Sequence, residues 1–128
     1  MMNNRDNLIS IIVPCYNEEH AIPYFYKAIT EHSTLMKNEF GVDFEYLFIN
    51  DGSVDNTLTV LKEYANKDNR VKYISFSRNF GKESAMYAGL KNASGNYIAI
   101  MDADLQDPPY LLTEMYKTII ESDYDCVA

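Results

Sequence analysis

The 128-residue sequence has few basic residues and few cysteines. It contains 11 Lys and Arg against 19 Asp and Glu, which gives a formal net charge of -8, and it has no basic run. Because clustered Lys and Arg are needed to neutralise nucleic-acid phosphates, this composition argues against nucleic acid as a partner. The two cysteines, Cys15 and Cys126, lack metal-ligand spacing, so we expect buried reduced thiols rather than a disulfide or a zinc site.

Long apolar runs are also absent. Residues 1–7 contain no apolar core, and no stretch approaches the length that is needed to cross a bilayer. We therefore expect no secretory signal, no membrane span in this chain and a cytoplasmic location. With 47% hydrophobic residues, the chain can bury one core but is too short for two domains, so we expect a single domain over residues 1–128.

What is present is an alternation of two kinds of segment. Four segments rich in apolar, β-branched and aromatic residues predict strands, at 8–13, 44–49, 71–76 and 97–101. Each is followed by a segment with helical spacing, which predicts a mostly parallel, doubly wound, Rossmann-like α/β sheet. Residues 124–128 resemble the beginning of a fifth strand, so we expect the chain to be a truncated part of a longer protein.

The predicted helices are 20–37, about 58–65, 85–93 and 108–122. Leu35 is one of the apolar residues that define the first helix. The third helix is rich in Ala and Gly, which predicts close packing on the sheet. In the last helix the residues predicted to face inward are Leu111, Leu112, Met115 and Ile119. Asp55 and Asp107 precede the second and fourth helices, where an Asp side chain can cap the first turn.

Polar residues follow every predicted strand directly, at 14–18, 50–53, 77–82 and 102–107. In an open parallel sheet, ligands bind beyond the carboxyl ends of the strands, at the point where the strand order reverses. If the order is 3-2-1-4, the segments after strands one and four lie side by side. The glycine-rich phosphate motifs G-x-G-x-x-G and G-x-x-x-x-G-K-[ST] are missing, so phosphate has to be held in another way.

Asp102 and Asp104 are the strongest candidates for that role. If strand geometry continues through Met101, the two side chains leave the backbone on the same face. Two carboxylates so close are unfavourable unless a proton or a cation lies between them, which favours a hard divalent ion. Lys82 or Arg78 would assist in neutralising a diphosphate. The alternative is a solvated acidic turn, which is the commoner role of an Asp-x-Asp pair elsewhere in proteins.

Four motifs resemble those of glycosyltransferase family 2, the nucleotide-sugar transferases of the GT-A fold. They are Val-Pro-Cys-Tyr-Asn-Glu at 13–18, Ile-Asn-Asp-Gly-Ser-Val-Asp-Asn-Thr at 49–57, Ser-Arg-Asn-Phe-Gly-Lys at 77–82 and Met-Asp-Ala-Asp-Leu-Gln-Asp-Pro-Pro at 101–109. Within the family, the chain is most similar to the polyprenyl- and dolichyl-phosphate sugar synthases. Two positions depart from the pattern: Asn50 stands where many relatives have Asp, and Tyr110 where Glu often follows the two prolines.

The resemblance implies a function and a set of site residues. It implies a metal-dependent, inverting hexosyltransferase that takes a sugar from a nucleotide diphosphate, UDP-linked, with polyprenyl phosphate as the acceptor. It implies that Asp102 and Asp104 are catalytic, with Asp104 as the direct ligand of Mg²⁺ or Mn²⁺ and Asp102 as its companion. The implied nucleotide-binding residues are Pro14, Tyr16, Asn17, Glu18, Asp51, Lys82 and Asp102. The acceptor side and any membrane anchor on the cytoplasmic face would lie beyond Ala128.

Several alternatives stay open from the residues alone. The chain could be a nucleotide-sugar-binding module that is inactive by itself, or an acidic receiver-type signalling domain, although the latter needs an Asp after strand three, where 77–79 reads Ser-Arg-Asn. A nucleotidyltransferase is disfavoured by the missing glycine-rich start. Asp51 could bond its own turn before Gly52, and Lys82 could be solvated. An exposed apolar sheet edge, where later strands would pair, suggests a homodimer.

Overall fold

The structure is a computed structural model that describes residues 7–121. Four strands alternate with four helices, as predicted. The elements in chain order are β1 (Leu8–Cys15), α1 (Ala21–Phe40), β2 (Asp43–Asn50), α2 (Thr57–Lys67), β3 (Val71–Ser75), α3 (Lys82–Asn92), β4 (Tyr97–Ile100) and α4 (Tyr110–Glu121). The strand order is β3-β2-β1-β4 and every pair is parallel, which confirms the doubly wound α/β fold. The fifth strand predicted at 124–128, and Cys126 with it, lie outside the described residues.

The two central strands explain the continuous apolar runs of the sequence. Successive side chains of a strand point to opposite faces, so a strand covered on both sides is apolar throughout. In β1, Ile11 and Val13 enter the larger core with α1, α2 and α4, whereas Ile12 points to the other face, against α3. Cys15 is a buried free thiol, as predicted. Burial raises its pKa strongly, so the thiol stays protonated.

Helix α3 lies close to the sheet because its contact residues are small. A Cβ atom added to Gly89 would overlap the Ile12 side chain, and Ala85 is fully buried beside it. This confirms the close packing predicted from the Ala and Gly residues of the helix.

Two details of the helices differ from the sequence prediction. Leu35 in α1 is 63% exposed, whereas Ser33 and Met36 are buried. Ser33 is tolerated inside because its hydroxyl donates to the Ile29 carbonyl at 2.7 Å and accepts the Tyr46 hydroxyl at 2.6 Å. Helix α4 begins at Tyr110 rather than at 108, and among residues 7–121 no hydrogen bond reaches the Asp107 carboxylate, so its predicted capping role is wrong.

No helix within residues 7–121 has both the length and the apolar character that a bilayer crossing requires.

Candidate functional site

A polar cleft of about 490 Å³ lies at the carboxyl ends of the strands. The loops that follow all four strands contribute to it, which agrees with the expected position of a ligand site in an open parallel sheet. The cleft is lined by Pro14, Cys15, Tyr16, Glu18, Asp51, Asn79, Gly81, Lys82 and Asp102. Six of the predicted site residues are in this lining; Asn17 and Asp104 are outside it.

A larger groove of about 680 Å³ lies elsewhere, along the edge of β4 that pairs with no other strand of residues 7–121, and the adjacent face of α4. Its lining is mainly apolar, and it includes Leu111, Met115 and Ile119. These three residues are only partly buried, whereas Leu112 and Tyr116 carry the inward face of the helix. We place the candidate site in the smaller cleft, because that is where the carboxylates and the lysine meet.

The loop after β1 is attached to the loop after β2 by hydrogen bonds. Asn17 donates its backbone N–H to the Ser53 hydroxyl at 2.9 Å, and its side-chain oxygen accepts the Val54 N–H at 2.9 Å. Glu18 donates its N–H to the Thr57 hydroxyl at 2.9 Å. Asn17 also has a φ of 54°, a left-handed conformation that Asn tolerates better than most residues. In this structure its side chain therefore holds two loops together outside the cleft.

Asp55 strengthens the same attachment. Its carboxylate accepts the N–H of Thr57, the first residue of α2, at 2.9 Å, and the N–H of Glu19 at 3.3 Å. Burial acts to raise the pKa of Asp55, but the hydrogen bonds from Thr57 and Glu19 outweigh it and keep the pKa below its usual range. The predicted role of Asp55 at the start of the second helix is thus confirmed, although Asn56 is the residue directly before the helix.

Asp51 attaches the loop after β2 to the loop after β3. The side chain is 4% exposed. One carboxylate oxygen accepts the Phe80 N–H at 2.8 Å, and the other accepts the Gly81 N–H at 3.0 Å and the Asn79 amide at 3.1 Å. Asp51 therefore does not bond its own turn; Asn50 does so, by accepting the Ser53 N–H at 3.2 Å. The sequence reasoning missed Asn79 altogether.

Gly52 allows these two loops to approach each other. Its φ is 67°, and a Cβ atom at this position would overlap the Arg78 carbonyl carbon and the Asn79 nitrogen. The Arg78 guanidinium lies 4.9 Å from the centroid of the Phe80 ring, and the residue is not in the cleft lining. Of the two basic residues proposed to assist a diphosphate, only Lys82 faces the cleft.

Asp102 and Asp104 lie beyond the end of the strand. The strand geometry that was predicted to place their carboxylates on one face therefore does not apply to them. Strand β4 ends at Ile100, and the Leu105 N–H donates to the Asp102 carbonyl at 3.2 Å, which closes a turn. Asp102 accepts a hydrogen bond from the Lys82 ammonium at 2.8 Å. Asp104 is exposed and accepts the Gln106 amide at 3.0 Å.

The charges of the neighbouring carboxylates nevertheless affect the pKa of Glu18. Burial raises the pKa of Glu18, and the charges of Asp104, Asp55 and Asp102 raise it further. Within residues 7–121 no three acidic, His or Cys side chains are grouped to hold a metal by themselves. Mg²⁺, however, is usually bound by one or two carboxylates together with substrate phosphates and water. The chemistry of Asp102 and Asp104 therefore fits a hard divalent ion that is shared with a diphosphate.

Comparison with known proteins identifies the family. The sequence profile described as Glycosyl transferase family 2 matches residues 10–128. The chain belongs to glycosyltransferase family 2. This excludes the receiver-type alternative. CsbB of Bacillus subtilis (strain 168) is 48% identical to this family 2 chain over 123 residues, which are 96% of this chain and 36% of CsbB.

Two further relatives concern activity and fold. The bactoprenol glucosyl transferase of Shigella phage SfV is 49% identical over 100 residues, covering 78% of this chain and 31% of the transferase. The S. aureus TarS 1-349 structure in complex with UDP superimposes with a TM-score of 0.70 at 29% identity, covering 91% of this chain and 33% of the TarS 1-349 chain. The GT-A fold is thereby confirmed. The chain spans about a third of the length of the curated relatives it matches.

Proposed function

We propose that residues 1–128 form the N-terminal, nucleotide-sugar-binding part of a glycosyltransferase that transfers a sugar from a UDP-linked donor to polyprenyl phosphate. The observation that carries this proposal is the polar cleft at the strand ends, where Glu18, Lys82 and Asp102 meet. Support for a uridine donor comes from the UDP complex of TarS, and support for a lipid-phosphate acceptor from the bactoprenol glucosyl transferases.

Several side chains of the cleft have a proposed role. The nucleoside is surrounded by Pro14, Tyr16, Glu18 and Asp51. Asp51 keeps a free acceptor position because its three hydrogen bonds do not use all its lone pairs. Lys82 and the acidic pair lie at the diphosphate. In this arrangement the loops are fixed by hydrogen bonds of Asn17, Asp51 and Asp55, whereas the charged groups of Lys82 and Asp104 are exposed and can bind the donor.

Sugar transfer with inversion builds negative charge on the departing diphosphate. A divalent ion held by Asp104 and Asp102 would stabilise that charge as a Lewis acid. Lys82 is the first residue of α3. Its long, flexible side chain would allow the ammonium to contact the same phosphates. A phosphate acceptor is ionised near neutral pH, so none of the cleft carboxylates has to act as a strong general base.

The donor site is tested by calorimetric titration of UDP with and without Mn²⁺, using Asp104→Ala and, as a control with the same charge change, Asp107→Ala. Asp107 is exposed and is not in the cleft lining. We expect Asp104→Ala to weaken UDP binding in Mn²⁺ by about tenfold or more, by analogy with the loss of a metal-binding group, and not to weaken it in metal-free buffer. Equal affinities of the two variants in Mn²⁺ would contradict the metal assignment.

The acceptor is tested by a radiolabelled-sugar transfer assay on this chain and on a protein that contains it and has the full length of its relatives. If polyprenyl phosphate is the acceptor, the longer protein should transfer label to it and not to the corresponding polyprenol, which lacks the ionised oxygen. The second candidate function, nucleotide-sugar binding without transfer, is favoured for this chain by its coverage of only about a third of its relatives. Label transfer by the chain alone would contradict that candidate. Transfer to a lipid phosphate would take place at the membrane surface.

A further inference from the structure

Lys82 makes a direct ion pair with Asp102 inside the cleft. The ammonium lies 2.8 Å from one carboxylate oxygen. In the lining formed by the described residues 7–121, Lys82 is the one basic residue, opposite Glu18, Asp51 and Asp102. The lysine therefore partly neutralises an acidic cleft.

The backbone of Lys82 is fixed, whereas its side chain is free to move. Gly81, the residue before it, is held by the Asp51 carboxylate, and Lys82 is the first residue of α3. Its side chain is 60% exposed and that of Asp102 is 32% exposed. An exposed ion pair of this kind is weak, so breaking it requires little free energy. The flexible stem of lysine then allows the ammonium to move to another anion from the same backbone position.

A divalent ion and the ammonium compete for the same carboxylate. Two like charges that share one carboxylate repel each other, so a metal that binds Asp102 in the nucleotide-free protein has to displace Lys82. A diphosphate changes the balance because it brings new anionic oxygens for both cations. Lys82 thus opposes binding of metal alone and favours binding of the nucleotide.

We propose that Lys82 is the internal counter-ion of Asp102, displaced by the divalent ion and transferred to the donor diphosphate when the nucleotide binds. This inference rests on the proposed function, because it assumes that the metal and the diphosphate share the cleft. In this proposal the Lys82 side chain pairs with Asp102 in the nucleotide-free site and with the diphosphate in the nucleotide-bound site.

Lys82→Met tests the proposal, because it keeps an unbranched side chain only one atom shorter and removes the charge. The matched control is Lys91→Met, which makes the same charge change in the same helix, where Lys91 lies 5.8 Å from the Tyr87 ring centroid and outside the cleft lining. Two affinities are measured for each protein: Mn²⁺ alone, from the electron paramagnetic resonance of the free ion, and UDP in metal-free buffer, by calorimetry. Urea unfolding checks that both variants are folded.

We expect Lys82→Met to bind Mn²⁺ alone about threefold more tightly and UDP alone about fivefold more weakly than the wild type, with Lys91→Met close to wild type in both. These opposite shifts are the signature, because a merely structural lysine would weaken both affinities and a solvated lysine would change neither. Unchanged or weaker Mn²⁺ binding in Lys82→Met overturns the inference. If UDP does not bind the wild type with or without Mn²⁺, the proposed function fails, and the Mn²⁺ measurement still decides the role of Lys82.

Discussion

Gly52 offers the sharpest test of how the cleft is assembled. The prediction is that Gly52→Ala separates the loop after β2 from the loop after β3 and destabilises the fold. Two effects add at this position. An alanine with a φ of 67° is in the left-handed region, which costs about 1 kcal/mol. In addition, its Cβ would overlap the backbone of Arg78 and Asn79 and lie 2.6 Å from the Arg78 carbonyl oxygen.

Gly41→Ala is the matched control. Gly41 ends α1 with a φ of 72°, and a Cβ there would meet no atom within 4 Å. It should therefore show only the conformational cost of about 1 kcal/mol. At Gly52 the overlapping atoms are backbone atoms, which cannot move aside as the end of a side chain can. Overpacking of this kind typically costs about 1 to 3 kcal/mol more, so Gly52→Ala should cost about 2 to 4 kcal/mol in total.

Urea unfolding monitored by circular dichroism measures both values. UDP titration of each folded variant gives a second readout, because displacement of the loop after β3 also moves Lys82. We expect Gly52→Ala to weaken UDP binding and Gly41→Ala to leave it unchanged. Equal free energies of unfolding for the two variants, within about 0.5 kcal/mol, would refute the argument that the two loops are in close contact at Gly52.

Two further predictions concern Asp51 and His32. Asp51→Asn should lower the free energy of unfolding by about 2 to 4 kcal/mol, because an amide cannot accept all three N–H groups that the buried carboxylate accepts; a loss below about 0.5 kcal/mol in urea unfolding would contradict this. Burial lowers the pKa of His32, whose ring contacts the Thr113 hydroxyl at 2.7 Å, so below about pH 6.5 the unfolded chain binds a proton there more readily than the folded protein. Stability should therefore fall from pH 7.5 to pH 5, and His32→Gln should reduce that fall in urea midpoints; an equal fall in both proteins would contradict the assignment.

The fold could be predicted from the sequence where neighbouring residues formed a clear hydrophobic pattern. The uninterrupted apolar runs of β1 and β2 predicted strands covered on both faces, and the alternation with helices predicted a parallel sheet. In α1 the sequence pattern failed only near Leu35, which is exposed while Ser33 is buried, and this has a specific cause. Ser33 is buried because its hydroxyl is bonded to the Ile29 carbonyl and to Tyr46, and hydropathy alone cannot recognise a polar residue that is satisfied in this way.

The site followed from the sequence only in part. The position of the polar loops after each strand, together with the family motifs, predicted which loops form the cleft. The link from Asp51 to Asn79 and Gly81 joins residues 28 and 30 positions apart, and no local spacing indicates it. The strand geometry assumed for the acidic pair failed because β4 ends at Ile100 and the pair lies in a turn closed by the Leu105 N–H and the Asp102 carbonyl, with Leu105 at a φ of 57°. A turn of this kind at a leucine has no strong sequence signal.

The cleft combines a fixed frame with mobile charges, and the two parts should respond differently to substitution. Gly52 lets the loops approach closely and the buried Asp51 carboxylate binds backbone N–H groups of the next loop, so changes at either residue should reduce stability and every binding affinity together. Lys82 and Asp104 are exposed and contribute little to the fold, so their substitution should leave urea midpoints nearly unchanged while it alters metal and nucleotide affinities. This separation is useful in a site that has to accept both a cation and a diphosphate. The frame keeps the distances between the loops constant, and the weak contacts of the charged side chains can be exchanged at little cost.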